Sequence, residues 1–487
     1  MLSGFDHIVI GAGSAGCAVA ARLAEDRARR VLLLEAGPDA RDDAAVQDPR
    51  RWAELAGGSY DWGLSYAPAP QLARRVIPIP RGRALGGSSA INALLWNRGH
   101  PSDYARWGEG WSFAEVLPFF RRAEDRAAGA NAWRGAGGPV RIETPRPPHP
   151  LALAFLAAAA QRGYPVLADP NGARTEGAFL GELTIRQGRR CSAADAYLAR
   201  PPPNLVIRTE AEVAALRFAG LRCTGVRLAD GTAIEAGAGV VLSAGALHSP
   251  LLLWRSGIGD PEDLARLGVP CRLALPGVGR NLQDHPLVAG VNFAAARPVG
   301  RPQSLGGRAF LNARSPGAQR PDLHLLLVQG PHGALPRGAG PVFALSPGLM
   351  GSHSRGAMRP AAGGRLVIEP AFLAARRDRE ALLHGLELAQ DLAAAPALRP
   401  WVARPLLPPG RLGRAAALAF LLRRVSTFFH CCGTCAIGAV VDRRLRVFGT
   451  EGLMVADASV FPHIPSGNTH APAVMVGERA AAFLRDG

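Results

Sequence analysis

Residues 5–36 read FDHIVIGAGSAGCAVAARLAEDRARRVLLLEA, and this stretch decides the fold. The short apolar runs at 7–10 and 31–34 predict two buried strands, and the small residues of 18–23 predict a helix between them. A glycine-rich turn joins the first strand to the helix. Strand, turn, helix and strand in this order predict a Rossmann-like α/β unit that binds a dinucleotide.

The turn carries Gly11, Gly13 and Gly16 in the pattern G-x-G-x-x-G. The first glycine allows the tight turn, the second lets the backbone approach a pyrophosphate, and the third lets helix and strand pack closely. The N-terminus of the helix offers free N–H groups and partial positive charge to the phosphates. We therefore expect this turn, with Ser14 and Ala15, to bind the cofactor.

Glu35 ends the second strand, about 20 residues after the last glycine of the turn, where an acid accepts hydrogen bonds from ribose hydroxyls. A carboxylate at this position disfavours a ribose 2′-phosphate and therefore NADP. It does not separate NAD from FAD.

The chain has 487 residues and a formal charge of +17, and because it contains no lysine all 56 basic residues are arginine. The charge has two interpretations: a surface for nucleic acid or anionic lipid, or a bias of composition. We favour the bias, since no dense basic run with interleaved aromatic residues occurs. The absence of lysine excludes a Schiff-base mechanism through that residue.

The seven cysteines are odd in number and widely spaced, which is typical of reduced thiols in a cytoplasm. Cys432 and Cys435 form a C-x-x-C pair, but no second pair completes a zinc site, and we expect no metal. No apolar run reaches the roughly 18 residues of a membrane span, and the first residues do not resemble a signal peptide. We expect a cytoplasmic protein without an integral membrane segment that binds no nucleic acid and forms a homodimer, with peripheral attachment to the inner membrane as the alternative location.

A second α/β-like region follows in the middle of the chain. Strands are predicted at 205–207 and 240–242, with Asp230-Gly231 as a hairpin turn between them. The Gly-, Pro- and Arg-rich stretches 129–150 and 297–363 are predicted to be loops and sheet connections.

Cofactor-type sequence thus occurs in separated blocks, which predicts a discontinuous domain with a second domain built from the insertions. The dinucleotide-binding domain is assigned to 1–150, 190–286 and 427–487, and the substrate-binding domain to 151–189 and 287–426.

Further motifs carry a resemblance to a known family. They are GRALGGSSAIN at 82–92, GALHSPLLLWRSGIG at 245–259, HCCGTC at 430–435, GLMVADAS at 452–459 and SGNT at 466–469. In order and spacing they resemble the glucose–methanol–choline (GMC) oxidoreductases. The resemblance implies FAD as cofactor and a second domain with a mostly antiparallel sheet flanked by helices.

The resemblance also implies which residues bind FAD. Ser88 and residues 92–95 would line the flavin and pyrophosphate, Val213 would meet the adenine, and Asp457 with Ala458 would lie near the ribityl-pyrophosphate. Asp457 could alternatively be only a helix N-cap. The full expected set beyond the glycine turn and Glu35 is Ala36, Arg83, Gly87, Ser88, Asn92, Ala93, Leu94, Leu95, Val213, Asp457, Ala458 and Thr469.

His430 matches the family's catalytic base, which takes a hydroxyl proton as hydride leaves carbon for flavin N5. Asn468 matches the partner position, where an amide can orient the alcohol and stabilise an alkoxide. His470 ranks below Asn468; in an extended segment the two share a face, which would place His470 beside the flavin.

Two positions depart from relatives. Ile91 stands where some relatives carry a histidine bonded covalently to FAD, so we expect non-covalent FAD. Leu287 follows Asp284-His285-Pro286, where choline-using relatives carry a glutamate, so we expect a neutral, less polar alcohol.

The leading hypothesis is therefore an FAD-dependent alcohol dehydrogenase or oxidase that passes electrons to oxygen, a quinone or another carrier. Two alternatives stay open: a non-redox lyase or photodecarboxylase on the same flavin fold, and a flavoprotein associated with nucleic acid, which rests on charge alone.

Overall fold

The computed structural model describes residues 4–301, 305–335, 338, 340–361 and 365–486. It contains two large sheets, one mainly parallel and one antiparallel, with helices packed on both. The predicted α/β class is therefore confirmed.

The parallel sheet is built around strand Phe5–Ile10. This strand pairs with Val31–Leu34 on one side and with Ala233–Leu242 on the other, and Leu205–Arg208 lies outside Val31–Leu34. The short strand Leu453–Val455 pairs with the end of Ala233–Leu242. Val31–Leu34 is buried along its whole length, which explains its uninterrupted apolar sequence. This arrangement of strands is the Rossmann-like one that the sequence predicts.

The first half of Ala233–Leu242 bends away from this sheet into an antiparallel meander with Arg222–Leu228 and Val213–Ala219. Asp230-Gly231 does form a hairpin turn, but it joins Arg222–Leu228 to Ala233–Leu242. The prediction that it joins the strand at 205 is wrong, because that strand lies on the far side of Phe5–Ile10. Arg222–Leu228 escapes a pattern search because arginines and a glycine interrupt its apolar residues.

Helix Ser14–Leu23 follows the glycine turn and packs against the C-terminal helix His470–Arg485. A Cβ atom at Gly477 would lie 2.4 Å from the carbonyl oxygen of Ala15, so only glycine permits this approach. The helices Phe113–Ala123 and Gly245–Arg255 also belong to the half of the molecule that contains the parallel sheet.

The antiparallel sheet forms the second half of the molecule. Six strands form its main path, in the order Val402–Leu407, Asn292–Ala295, Val342–Leu349, Leu323–Gln329, Ala309–Ala313 and Gly177–Leu180. Beside this path, Pro286–Val288 pairs with both Val342–Leu349 and Val425–Thr427. The helices Pro150–Gln161 and Arg376–Ala393 pack on it. This is the mostly antiparallel sheet with flanking helices that was predicted.

The prediction of loops over 297–363 is wrong for much of that range, because three strands of the antiparallel sheet lie within it. Their sequences alternate poorly, since Val342–Leu349 is buried throughout and contains Pro347. Residues 302–304, 336, 337, 339 and 362–364 of the same range lie outside the described residues.

Shorter elements connect the two sheets. The helices are Ala44–Gln47, Trp52–Leu55, Ser88–Ile91, Pro101–Ala105, Ala193–Tyr197, Pro261–Leu267 and Arg414–Arg424. The paired short strands are Ser65–Tyr66 with Ile77–Pro78, Glu124–Arg126 with Val140–Ile142, Ile185–Arg186 with Arg189–Arg190, Ile258–Gly259 with Leu273–Ala274, and Ala357–Pro360 with Leu366–Glu369. None of the helices within the described residues is long and apolar enough to cross a membrane.

Candidate active site

A cavity of about 510 Å³ is lined by residues of both sheets. The glycine turn and Glu35 line it on the side of the parallel sheet, and Leu287 and Phe310 line it on the side of the antiparallel sheet. His430 and Asn468 line the same cavity. The predicted cofactor residues and the predicted catalytic pair therefore share one space.

The glycine turn has the shape of a phosphate cradle. A Cβ atom at Gly13 would meet no atom within 4 Å, whereas one at Gly16 would lie 1.9 Å from the carbonyl oxygen of Gly11. Gly13 thus leaves room beside the backbone, and Gly16 allows the helix to pack on the turn. No side chain caps the first turn of helix Ser14–Leu23, so its N–H groups stay available to an anion. These features fit a dinucleotide pyrophosphate.

Glu35 is held in place by the turn that it faces. Its Oε2 accepts the backbone N–H of Ala12 and its Oε1 accepts that of Gly37, each at 2.9 Å. Burial raises the pKa of Glu35 to about 7, although these N–H groups and the positive charge of Arg83 oppose the shift. A carboxylate has about four acceptor positions, so two backbone bonds leave room for ribose hydroxyls.

Most other predicted cofactor residues line the cavity. They are Ala36, Gly87, Ser88, Asn92, Ala93, Leu94, Leu95, Val213, Asp457, Ala458 and Thr469. Gly16 and Arg83 are not among the residues that line it. Gly16 acts through packing, and the Arg83 guanidinium lies 5.1 Å from the centre of the Trp62 ring.

Asp457 combines both roles considered from the sequence. Its Oδ1 accepts the N–H of Ser459 and so caps the short helix at 458–460, while its Oδ2 accepts the N–H of Gly245 and the hydroxyl of Ser249. Burial raises the pKa of Asp457, which these donors oppose. The carboxylate therefore ties the C-terminal segment to the start of helix Gly245–Arg255 at the cavity wall.

Both ring nitrogens of His430 form hydrogen bonds with other side chains. Its Nε2 lies 3.1 Å from Nδ2 of Asn468, and its Nδ1 lies 2.9 Å from Nδ1 of His285. The ring of Phe428 lies parallel to it, with the centroids 5.5 Å apart. The imidazole is thus fixed in position and orientation.

Burial lowers the pKa of His430 well below its usual value, and the charges of His285, Arg81 and His324 act in the same direction. The ring is therefore neutral at neutral pH. A neutral imidazole with a free lone pair can accept a proton, which is the first requirement of a general base.

Asp284 holds the backbone on which the two histidines lie. Its Oδ1 accepts the N–H of His285 at 2.7 Å and the N–H of His430 at 2.8 Å. Its Oδ2 accepts the hydroxyl of Tyr66 at 2.5 Å and that of Thr427. One buried carboxylate therefore links three distant segments around His430.

The segment from Asn468 to His470 is not extended, so the shared face expected of an extended segment does not form. Thr469 has helical dihedral angles, and His470 begins the helix His470–Arg485. Its Nδ1 lies 2.9 Å from the hydroxyl oxygen of Ser14, which places His470 at the glycine turn. His470 lines the same cavity as Asn468 but contacts the glycine turn.

Sequence reasoning missed Asp284, His285, Tyr66 and His324 as residues of this site. In the sequence, the Asp284-His285 pair serves only to locate Leu287, which follows Pro286. The pair itself was the available signal, since an acid and a histidine adjacent in sequence often form a buried polar network. Tyr66 and His324 carry no local signal, because only the tertiary fold brings Tyr66 to Asp284 and His324 to the cavity.

The two departures from relatives both lie at the cavity. Ile91 and Leu287 line it and are each 6% exposed.

All seven cysteines are free thiols, Cys432 and Cys435 included. In the described part of the chain, no group of three or more His, Cys, Asp or Glu residues is arranged to hold a metal ion.

Comparison with known proteins decides the family. The model of the GMC oxidoreductase N-terminal domain matches residues 5–287, and that of the C-terminal domain matches 352–477. The chain belongs to the GMC oxidoreductase family. It is an FAD-dependent enzyme that oxidises the CH–OH group of an alcohol and passes the electrons to an acceptor.

This GMC oxidoreductase is similar to both choline dehydrogenases and a pyridoxine oxidase. It is 36% identical to the mitochondrial choline dehydrogenase of Homo sapiens, over 99% of this chain and 90% of that one. It is also 36% identical to an oxygen-dependent choline dehydrogenase of Klebsiella pneumoniae, over 99% and 96% of the two chains. The solved structure of pyridoxine 4-oxidase from Mesorbium loti matches with a TM-score of 0.95 and 36% identity, over 99% and 100%.

Proposed function

We propose that His430 is the base of this reaction and that it removes the hydroxyl proton of the alcohol at Nε2. The observation that carries the proposal is the position of this nitrogen, 3.1 Å from the Asn468 amide in the cavity shared with the glycine turn. An alcohol oxygen beside this pair, within hydrogen-bond distance of both nitrogens, would contact the base and a hydrogen-bond donor at once.

His285 supports this protonation through the other ring nitrogen. If Asn468 donates to Nε2 of His430, then His430 carries its proton on Nδ1 and donates it to His285. Burial lowers the pKa of His285 to about 3, so this ring is neutral and can accept the proton that His430 donates. When Nε2 of His430 takes up the substrate proton, the Nδ1–H bond to His285 stabilises the imidazolium.

Asn468 has the complementary task. As the substrate loses its proton, negative charge develops on the oxygen, and the Asn468 Nδ2 group can donate a hydrogen bond to it. The amide also fixes the orientation of the oxygen before the reaction. We assign it a smaller share of the rate enhancement than His430.

The residues that would hold FAD are those of the glycine turn, Glu35, residues 92–95, Val213 and Asp457. Bound FAD supplies the hydride acceptor for the carbon that carries the hydroxyl group. Because Ile91 offers no nucleophile to the cofactor, we propose that FAD is held without a covalent bond.

The substrate side of the cavity supports a neutral alcohol. Among the described residues that line the cavity, the carboxylates are Glu35, Glu212 and Asp457, and all three lie on the parallel-sheet side. Leu287 lines the opposite wall on strand Pro286–Val288. A quaternary ammonium group would find no carboxylate there, so we propose that choline is not the substrate, although relatives of that name are 36% identical.

An anaerobic panel of neutral alcohols and choline, read by flavin absorbance, tests this function. We expect neutral alcohols to bleach the flavin and choline to leave it oxidised. Failure of every alcohol to reduce the flavin would contradict the proposal. Admission of air afterwards separates an oxidase, which recovers its yellow colour at once, from a dehydrogenase that needs another acceptor.

The domain division, a homodimeric state and a cytoplasmic location stay proposals. The division is supported by the origin of the strands, since the strands at 5–34, 205–242 and 453–455 build the sheet with the glycine turn.

A further inference from the structure

His324 lies on the antiparallel side of the cavity, on strand Leu323–Gln329, and is 2% exposed. Phenyl rings surround its imidazole: Phe310 is stacked at a centroid distance of 5.1 Å, Phe428 lies at 6.0 Å and Phe179 at 6.2 Å. A polar ring in such apolar surroundings needs an explanation for each of its nitrogens.

The hydrogen bonds of Asn312 fix the tautomer of His324. The Nδ2 group of Asn312 donates to the carbonyl oxygen of Thr175 at 2.8 Å, so its Oδ1 faces His324, with Nδ1 of the histidine at 2.7 Å. An amide oxygen can only accept, hence Nδ1 of His324 carries the proton. The other nitrogen, Nε2, is left with a lone pair.

Burial lowers the pKa of His324 to about 3, so the ring keeps this neutral form at neutral pH. No described residue donates a hydrogen bond to Nε2, although the side chain lines the cavity. At this position the cavity wall therefore presents a hydrogen-bond acceptor, Nε2 of His324, beside ring faces.

The ring faces continue to the catalytic base. Phe310 stacks on His324, and Phe428, which contacts His324 edge to face, lies parallel to the His430 ring with an interplanar angle of 5°. A flat aromatic ring seated against this wall would have the base at one end and the acceptor at the other.

We infer that the substrate is an aromatic primary alcohol that carries a second hydrogen-bond donor on its ring, such as a phenolic hydroxyl, which Nε2 of His324 accepts. This inference rests on the proposed role of His430. It deepens the proposed function by naming the substrate class. A methoxy group in the same place would set oxygen lone pairs against the nitrogen lone pair and would be rejected.

The test uses the FAD-loaded enzyme and its anaerobic flavin reduction by benzyl alcohol, meta-hydroxybenzyl alcohol, meta-methoxybenzyl alcohol and cyclohexylmethanol. The apparent Kd from the concentration dependence is compared, because the rate itself depends on benzylic reactivity. We expect the hydroxybenzyl compound to bind about tenfold or more tightly than the benzyl and methoxybenzyl compounds, as one good hydrogen bond in an apolar wall provides. Cyclohexylmethanol should bind more weakly than benzyl alcohol.

The variant His324→Phe keeps the stacked ring and removes the acceptor. We expect the ratio of the hydroxybenzyl to the benzyl affinity to fall to about one. His384→Phe, a substitution of a partly exposed histidine on helix Arg376–Ala393, is the matched control and should keep the wild-type ratio.

Equal affinities of the wild type for the hydroxy and methoxy compounds would overturn the inference, and this comparison does not depend on how well a variant folds. A ratio that survives in His324→Phe would also overturn it. In both cases benzyl alcohol would still reduce the flavin, which leaves the proposed function intact. Failure of all the alcohols to reduce the flavin would overturn the proposed function and the inference together.

Discussion

His285 and His430 face each other through their Nδ1 atoms, 2.9 Å apart. Two nitrogens at this distance share one proton, so each ring determines the tautomer of the other. Their backbone N–H groups also donate to the same oxygen of Asp284. The position of the base and the nitrogen that it offers to substrate therefore depend on residues that do not touch the substrate.

Asp284 is accordingly predicted to be a positioning residue. Asp284→Ala leaves both backbone N–H groups without an acceptor, and we expect the flavin reduction rate to fall by about 10²-fold, comparable to loss of the base itself. Asp284→Asn keeps an amide oxygen for the two N–H groups, and its Nδ2 can donate to the hydroxyl of Tyr66 or Thr427. Anaerobic stopped-flow measurement of both variants checks this.

If Asp284 acts by positioning, Asp284→Asn should restore much of the flavin reduction rate that Asp284→Ala loses. A general loss of structure would not give this difference between the two variants. FAD occupancy and melting temperature, measured in parallel, show whether the alanine variant is folded. If Asp284→Asn is as slow as Asp284→Ala while both retain FAD, the carboxylate does more than hold the two backbones and this account of it is wrong.

The pH dependence of flavin reduction follows from the lowered pKa of His430. The base acts in its neutral form, which is lost as the pH falls through its pKa, and burial places that pKa well below 6.5. We therefore expect a rate that is constant from neutral to mildly alkaline pH and declines only in acid. An inflection above pH 7 that disappears in His430→Ala would show that the base titrates higher than its surroundings indicate.

Denaturation by acid or heat should release FAD into the supernatant. Ile91 stands at the cavity wall where a covalent link would need a nucleophile, and its side chain has none. Absorbance of the supernatant and of the washed precipitate measures the outcome. Yellow colour that stays with the precipitate would show a covalent link made by another residue.

Glu35→Ala should weaken FAD binding, because hydrogen bonds to a charged carboxylate are each worth roughly 1.5–3 kcal/mol. The same carboxylate accepts the N–H groups of Ala12 and Gly37, so we also expect a lower melting temperature. FAD retained after dialysis is the measurement. Glu235→Ala, on an exposed side chain of strand Ala233–Leu242, is the control, and equal retention by the two variants would remove Glu35 from the cofactor site.

The parallel sheet could be predicted because its signals are local. A buried strand needs an apolar run, and a phosphate turn needs glycine at fixed spacing, as in residues 5–36. The strands within 297–363 could not, because the segments around them are rich in glycine, proline and arginine and because tertiary contacts stabilise the strands.

Some residues of the site could likewise be predicted from local sequence, and others could not. His430 and Asn468 lie in motifs that identify them, and the structure brings their side chains together. The extended form considered for the segment before His470 does not occur, because the chain turns into a helix at that residue and the sequence does not show this. Asp284 and His324 act through partners that are distant in sequence, such as Thr427 and Asn312, and no spacing rule reveals such contacts.

The central claim is that His430 is the base, and the anaerobic reduction of bound flavin by alcohol tests it most directly. His430→Ala should slow this reduction by about 10²-fold or more while FAD occupancy stays unchanged. Asn468→Ala should be slowed less, by the loss of one hydrogen bond worth about 1–3 kcal/mol. His470→Ala, which alters a residue bonded to Ser14 at the glycine turn, should reduce its flavin at nearly the wild-type rate whenever FAD is bound. If His470→Ala abolishes flavin reduction and His430→Ala does not, the base has been assigned to the wrong histidine.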